Sequence, residues 1–272
     1  MARPNEVWDV HHHWVNEVGY IDRLLLEMDR LGIERTVLIA MGDFAPGLFV
    51  QGKPTGPPPD NASLSQAVQE HPDRLMGWGF LRPGHHDGDA VERIVDLGLQ
   101  GLKFHAPAAP YGDPDYFPIY ERAVAHNLPC LFHTGIFSPA MPGYGIRSEY
   151  CRPIHLEPLV HEFPDLQMIC AHLGVCWNEE AATLCRLFPN VYADLSGRVD
   201  GWRKRRSSSW FGEIFYWPDA CRKILFGSDV HLDEVGDTLD DHRRLLGEMG
   251  WDGDQQEAVF SGNARRMFGV GD

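Results

Sequence analysis

Positive charge is scarce in this chain. Its 24 lysines and arginines face 39 aspartates and glutamates, for a formal net charge of -15. A surface that acidic disfavours nucleic acid and anionic membranes as partners. The one basic run, Arg203-Lys-Arg-Arg206, is short and is expected to be a solvated loop. Long apolar runs are missing too. No stretch approaches the ~18 apolar residues of a membrane span. The opening Met-Ala-Arg-Pro-Asn-Glu lacks the apolar centre and cleavage site of a signal peptide, so none is expected. The six cysteines form no CxxC pair, and several lie in apolar segments, as buried thiols do. A reducing cytoplasm is the expected compartment. No repeat, low-complexity tract or linker divides the 272 residues, so a single domain over 1–272 is expected.

Regular alternation is what the chain does have. Strands are expected at 7–10, 36–40, 75–81, 100–104, 128–132, 166–170, 191–195 and 223–226. Helices are expected at 21–31, 63–70, 89–97, 116–126, 157–162, 179–187, 210–217, 238–249 and 254–268. Strict alternation argues for parallel strands joined by right-handed crossovers. Eight such units predict an α/β fold, a (β/α)8 TIM barrel. A doubly wound open sheet is the competing architecture. It needs a Gly-rich phosphate turn after an early strand, and the sequence has none.

Histidine is the compositional outlier, with 14 residues. Functional groups of a barrel gather at the C-terminal ends of its strands. Strand one runs into His11-His12-His13, strand four into Lys103-Phe-His105, strand five into His133, strand six into His172 and strand eight into Asp229. Residues i and i+2 of a strand share a face, so His11 and His13 project inward while His12 points away. Two imidazoles on one rigid strand suit a borderline cation such as zinc, and His133 and Asp229 can complete the set. Asp9 shares the inward side and is expected to hold the second nitrogen of a ligand histidine. Each residue also has an ordinary reading: Asp229 can cap a helix, and Lys103 can snorkel or pair. Those readings leave the joint placement at successive strand ends unexplained. His12, His85, His86, His126, His155, His161 and His242 are expected to be structural or surface residues.

On these marks the sequence resembles the amidohydrolase superfamily, in particular its amidohydrolase-related branch. That branch includes aminocarboxymuconate-semialdehyde decarboxylase and related hydrolases, lactonases and hydratases. The resemblance spans essentially the whole chain. It is carried by Asp9-Val-His11-His-His13, Gly101-Leu-Lys103-Phe-His105, Phe132-His133-Thr-Gly135, Cys170-Ala-His172-Leu-Gly174, Phe226-Gly-Ser-Asp229 and Gly262-Asn-Ala-Arg-Arg-Met-Phe268. It implies that His11, His13, His133 and Asp229 bind one divalent metal, with Zn2+ the expected ion. It places His172 beside the metal-bound water or the substrate's reacting oxygen. Lys103 then contacts substrate or structure; in two-metal relatives such a lysine is carboxylated and bridges a second ion.

The leading expectation is hydrolysis of a small ester, lactone or amide by a metal-activated water. Asp229 would move the proton, and His172 would stabilise charge on the substrate oxygen. The alternative is non-oxidative decarboxylation or hydration of an unsaturated or aromatic carboxylic acid. Arg147, Arg152 and Arg198 lie in loops where they can clamp such an acid. A third reading is a non-catalytic barrel that only binds. The loops at 44–61, 135–153 and 196–217 carry Phe44, Phe49, Phe137, Tyr144, Trp202, Trp210 and Trp217, enough for an apolar pocket. A small-molecule substrate is the expected partner, and a homo-oligomer is open.

Overall fold

A computed structural model describes residues 6–42, 59–137 and 145–270. Eight parallel strands stand side by side in chain order: β1 (Val7–His13), β2 (Ile33–Ile39), β3 (Leu75–Leu81), β4 (Gly101–Phe104), β5 (Cys130–Phe132), β6 (Met168–Cys170), β7 (Val191–Asp194) and β8 (Ile224–Leu225). Neighbours pair in parallel from β1 through β8. The last seam is irregular. There Val10 N–H donates to Phe226 O (3.0 Å) and Asp229 N–H to His11 O (2.7 Å), joining β8 to β1. The expected barrel is the observed one.

One helix follows each strand: α1 (Tyr20–Leu31), α2 (Asn61–Glu70), α3 (Gly88–Asp96), α4 (Phe117–Ala125), α5 (Glu157–Glu162), α6 (Asn178–Leu187), α7 (Ser208–Ile214) and α8 (Val235–Glu248). Local chemistry sets their ends. Helix α1 buries Tyr20, Leu24 and Met28 at i, i+4 and i+8, and stops at Gly32, whose φ of 72° closes the last turn. Asp60 caps α2 by accepting from Ser63 N. The helix expected over 254–268 is two short pieces, α9 (Gly253–Glu257) and α10 (Asn263–Met267), joined through a wider π turn at Ala258–Gly262. Asn263 on that segment donates to Cys221 O and Ile224 O, which anchors it beneath β8.

Two apolar clusters separate the layers. Trp8, Val10, Val37, Ile39, Met76, Trp78, Phe80, Leu131, Ile169 and Leu225 fill the barrel itself. The larger cluster lies between the barrel and its helices. Phe268 packs against the rings of Trp8 (5.7 Å) and Trp78 (5.8 Å).

A bulge in β1 decides what the barrel mouth presents. Asp9 lies opposite Thr36, but His12 lies opposite Leu38, so β1 carries one extra residue between them. Trp8 and Val10 face the barrel interior before the bulge. After it the parity switches, and His11 and His13 face the axis. Unbroken alternation put Asp9 on that same face. The bulge turns it into the β8–β1 seam instead, where its Oδ1 accepts from His11 N and Ser228 N.

Candidate metal centre and its surroundings

Five strand ends converge at the C-terminal mouth. Nε2 of His11 and Nε2 of His13 stand 3.2 Å apart. Asp229 Oδ1 lies 3.3 Å from His13 Nε2 and 3.8 Å from His11 Nε2. Lys103 brings its Nζ to 2.9 Å from His11 Nε2. His172 Nδ1 is 3.6 Å from the other Asp229 oxygen. His133 stands further out. Its ring centroid is 5.3 Å from that of His172, and the groups of mutually close ligand atoms are His11–His13–Asp229 and His11–His172–Asp194. The structure therefore gathers His11, His13, Lys103, His172 and Asp229 tightly, with His133 at the margin.

Close backbone approach makes this packing possible. Gly227 follows β8, and a Cβ there would fall 2.7 Å from Cβ of His11. Asp229 (φ 47°), His172 (φ 56°) and Leu173 (φ 46°) all sit in the left-handed region that non-glycine residues avoid. Three such residues at one mouth show that surrounding contacts hold the backbone there.

Burial sets the electrostatics. Desolvation pushes His11 down to about 3 and His172 to about 4, so both imidazoles are neutral at pH 7. Burial likewise drives His13, His105 and His133 well below the ordinary histidine range. It raises Asp229 and lowers Lys103, the two groups opposing each other's shift. Asp194 behaves differently. Burial works against its charge, but His11, His172 and Ser196 outweigh it and hold the carboxyl well below the usual carboxylate range.

Asp194 at the end of β7 is the residue that sequence reasoning missed. Its Oδ2 accepts from His11 Nδ1 at 2.9 Å. Its Oδ1 accepts from His172 N (2.7 Å), Ser196 N (3.0 Å) and Ser196 Oγ (2.5 Å). Asp194, not Asp9, therefore holds the second nitrogen of His11. The signal was available: Asp194 ends an apolar strand, the same position rule that picked out the other five.

The donors fit a divalent cation. Because His11 Nδ1 donates to Asp194, its Nε2 carries the lone pair, which points toward His13 and Asp229. Converging imidazole nitrogens and a carboxylate attract positive charge, which Lys103 supplies on one side at 2.9 Å from His11 Nε2 and a cation can supply between His11, His13 and Asp229. Two imidazole nitrogens and a carboxylate oxygen are a ligand set that zinc and manganese both accept. His133 Nε2 is buried with no hydrogen-bond partner among the described residues. An open, buried imidazole nitrogen is consistent with a further ligand.

Other expectations settle by position. His12 is structural: it is buried, with Nδ1 3.0 Å from Ser228 Oγ and Nε2 2.9 Å from Tyr20 OH. The three candidate clamp arginines are engaged with carboxylates, Arg147 with Glu149, Arg152 with Glu180, and Arg198 with Asp200 and Glu234. Arg203 is not solvated as the basic run suggested. It is 3% exposed, donates to Leu195 O and pairs with Asp241. Trp202 pins the same loop by donating to Ser196 O, and Trp210 and Trp217 pack against the outer core. Among the named aromatics that are described, Phe137 alone lies beside the site, 4.5 Å from the His133 ring and 4.8 Å from His105. Phe44, Phe49 and Tyr144 lie outside the described residues.

A family model described as amidohydrolase matches residues 8–270. The chain belongs to the amidohydrolase family. Among characterised relatives, 2-keto-4-carboxy-3-hexenedioate hydratase of Sphingobium sp. is 22% identical over 251 residues, covering 76% of this chain and 70% of the hydratase. The fold is shared with an uncharacterised TIM-barrel protein of Bordetella bronchiseptica (TM-score 0.73, 16% identity, 97% of this chain and 99% of that one). It is shared too with a dihydroxybenzoic acid decarboxylase of Polaromonas sp. (TM-score 0.64, 17% identity, 98% of each chain). That structure holds manganese and the inhibitor 2-nitroresorcinol.

Proposed function

We propose that this amidohydrolase-family chain is a divalent-cation-dependent lyase acting on a small unsaturated or aromatic carboxylic acid. The observation that carries the reading is the buried nest of His11, His13 and Asp229 at the barrel mouth, flanked by Lys103 and His172. The preference for lyase over ester, lactone or amide hydrolysis draws on the relatives, a hydratase and a decarboxylase.

His11, His13 and Asp229 would hold the cation, with His133 as the further ligand. A cation held there would supply Lewis-acid stabilisation of negative charge on the substrate's oxygens. In decarboxylation the bond from carboxyl carbon to ring or chain carbon breaks. Carbon dioxide leaves, and the electron pair stays behind until a proton joins that carbon. Asp229, which burial raises toward its protonated form, would carry the proton on the oxygen directed to the His172 side, hand it to that carbon, and take a new proton from water. Lys103 holds an ammonium charge beside the nest and steadies the developing anion. Hydration uses the same parts, with the proton reaching one carbon of a conjugated double bond and water's oxygen the other.

The test is a substrate panel with Mn(II), covering hydroxybenzoates, unsaturated dicarboxylic acids, and simple esters and lactones. Evolved carbon dioxide and products heavier by one water are measured together. Turnover of acids by either route supports the reading, and turnover confined to esters, lactones or amides overturns it. Asp229→Asn is expected to lower kcat by about 10²–10⁴-fold with an unchanged circular-dichroism spectrum.

A further inference from the structure

We infer that Asp194 and Ser196 are positioning residues that fix the tautomers of His11 and His172 from a single buried carboxylate. The inference deepens the proposed function, because it rests on His11 offering Nε2 to a cation.

The proton count around Asp194 is closed. An ionised carboxylate only accepts. His11 Nδ1, 2.9 Å from Oδ2, must therefore carry a hydrogen, which leaves the lone pair on Nε2. On the other oxygen, Ser196 Oγ approaches to 2.5 Å and must donate its one proton there. That same Oγ lies 2.9 Å from His172 Nδ1. With its hydrogen already committed, Ser196 can only accept from His172. His172 Nδ1 thus carries the hydrogen, and its Nε2 is the lone-pair nitrogen. Asp194 also accepts from the His172 backbone N–H at 2.7 Å, which helps hold that residue at its φ of 56°. Ser196 N donates to the same oxygen at 3.0 Å, so Oδ1 takes backbone N–H groups from the ends of both β6 and β7. The sharing is unequal. His11 Nδ1 meets Asp194 directly at 2.9 Å and Ser196 Oγ only at 3.2 Å, whereas the His172 ring depends on Asp194 through the serine hydroxyl.

This inequality gives separable outcomes. Ser196→Ala removes the acceptor for His172 but leaves the His11–Asp194 bond. Asp194→Asn presents an amide that can donate, so it disturbs both histidines. Long-range proton–nitrogen spectra of the full-length chain, labelled on histidine nitrogen, report each tautomer before and after Zn(II) is added. The signals are assigned with His172→Gln and His11→Gln. Free Mn(II), counted by electron paramagnetic resonance, reports cation affinity. In the wild type both histidines should be protonated on Nδ1. In Ser196→Ala only His172 should move its hydrogen to Nε2, with Mn(II) affinity within about twofold, and Ser196→Thr should restore the original tautomer. In Asp194→Asn Mn(II) affinity should fall about 10–100-fold. The inference is overturned if wild-type His172 carries its hydrogen on Nε2, if Ser196→Ala leaves that tautomer unmoved, or if both variants weaken Mn(II) equally. Should Asp194→Asn fail to fold, the serine variants decide alone. A wild type that binds no Mn(II) overturns the proposed function, while the tautomer spectra still test the Asp194–Ser196 relay.

Discussion

At the scale of single residues, two neighbours in the last seam divide the work. Asp229 offers its carboxylate to the histidine pair. Gly227, two positions earlier, offers nothing but room. A methyl group there would press on His11 Cβ at 2.7 Å, well inside normal contact. The obstruction lies on a strand end whose backbone is also bonded to β8, so neither side yields easily. Gly227→Ala should cost about 1–3 kcal/mol of stability by overpacking. It should also weaken cation binding, because His11 moves relative to His13. Urea unfolding and an Mn(II) titration check both parts. Loss of stability with full Mn(II) affinity would show that His11 tolerates displacement.

At the scale of elements, the strand-and-helix alternation was readable because each unit buries a clean apolar pattern. Strand β3 and helix α5 fall on the expected residues, and the other boundaries shift by a few positions. The position rule for barrel strands points to His11, His13, Lys103, His172 and Asp229, and the fold gathers these five at one mouth. Three features stayed hidden for physical reasons. The bulge in β1 has no signature in alternating residue types, since Val10 and His11 are both plausible inward residues. Arg203 looks solvated in the sequence because its three companions in the basic run are all cations, yet Asp241 on a distant helix pulls it into the core. His133 was expected among the tight ligands, but the short β5 ends with its ring nearer His105 and Phe137.

Helix α8 yields a prediction at this scale. His242 is fully buried there, and its Nδ1 donates to Thr238 O at 2.7 Å. Burial lowers its pKa from 6.5 to about 3. The unfolded chain therefore takes up this proton near pH 6.5, while the folded chain resists until about pH 3. Stability from this group is complete above pH 6.5 and is lost as pH falls from there toward 3. The loss is at most about 1.4 kcal/mol per pH unit. His242→Phe should flatten the acid limb of urea-measured stability between pH 6 and pH 4. Chelator in both samples keeps cation release out of the comparison. Parallel acid limbs in the two proteins would remove His242 as a cause.

At the scale of the whole molecule, the barrel closes at the candidate site. The β8–β1 seam is held by Asp9, Ser228 and the Val10–Phe226 and Asp229–His11 backbone bonds. The same seam places the histidine pair against Asp229, and β7 supports it through Asp194. Stability and site geometry are thus carried by one set of contacts. The central claim is that His11 and His13 hold a divalent cation on which activity depends. Its most direct test is Mn(II) binding by the full-length chain, followed by electron paramagnetic resonance. The wild type should bind Mn(II), and chelation should remove turnover that Mn(II) restores. His11→Ala with His13→Ala should weaken binding by more than about 100-fold, while His242→Phe binds as the wild type does. Undiminished binding in the double variant, or none in the wild type, would contradict the account.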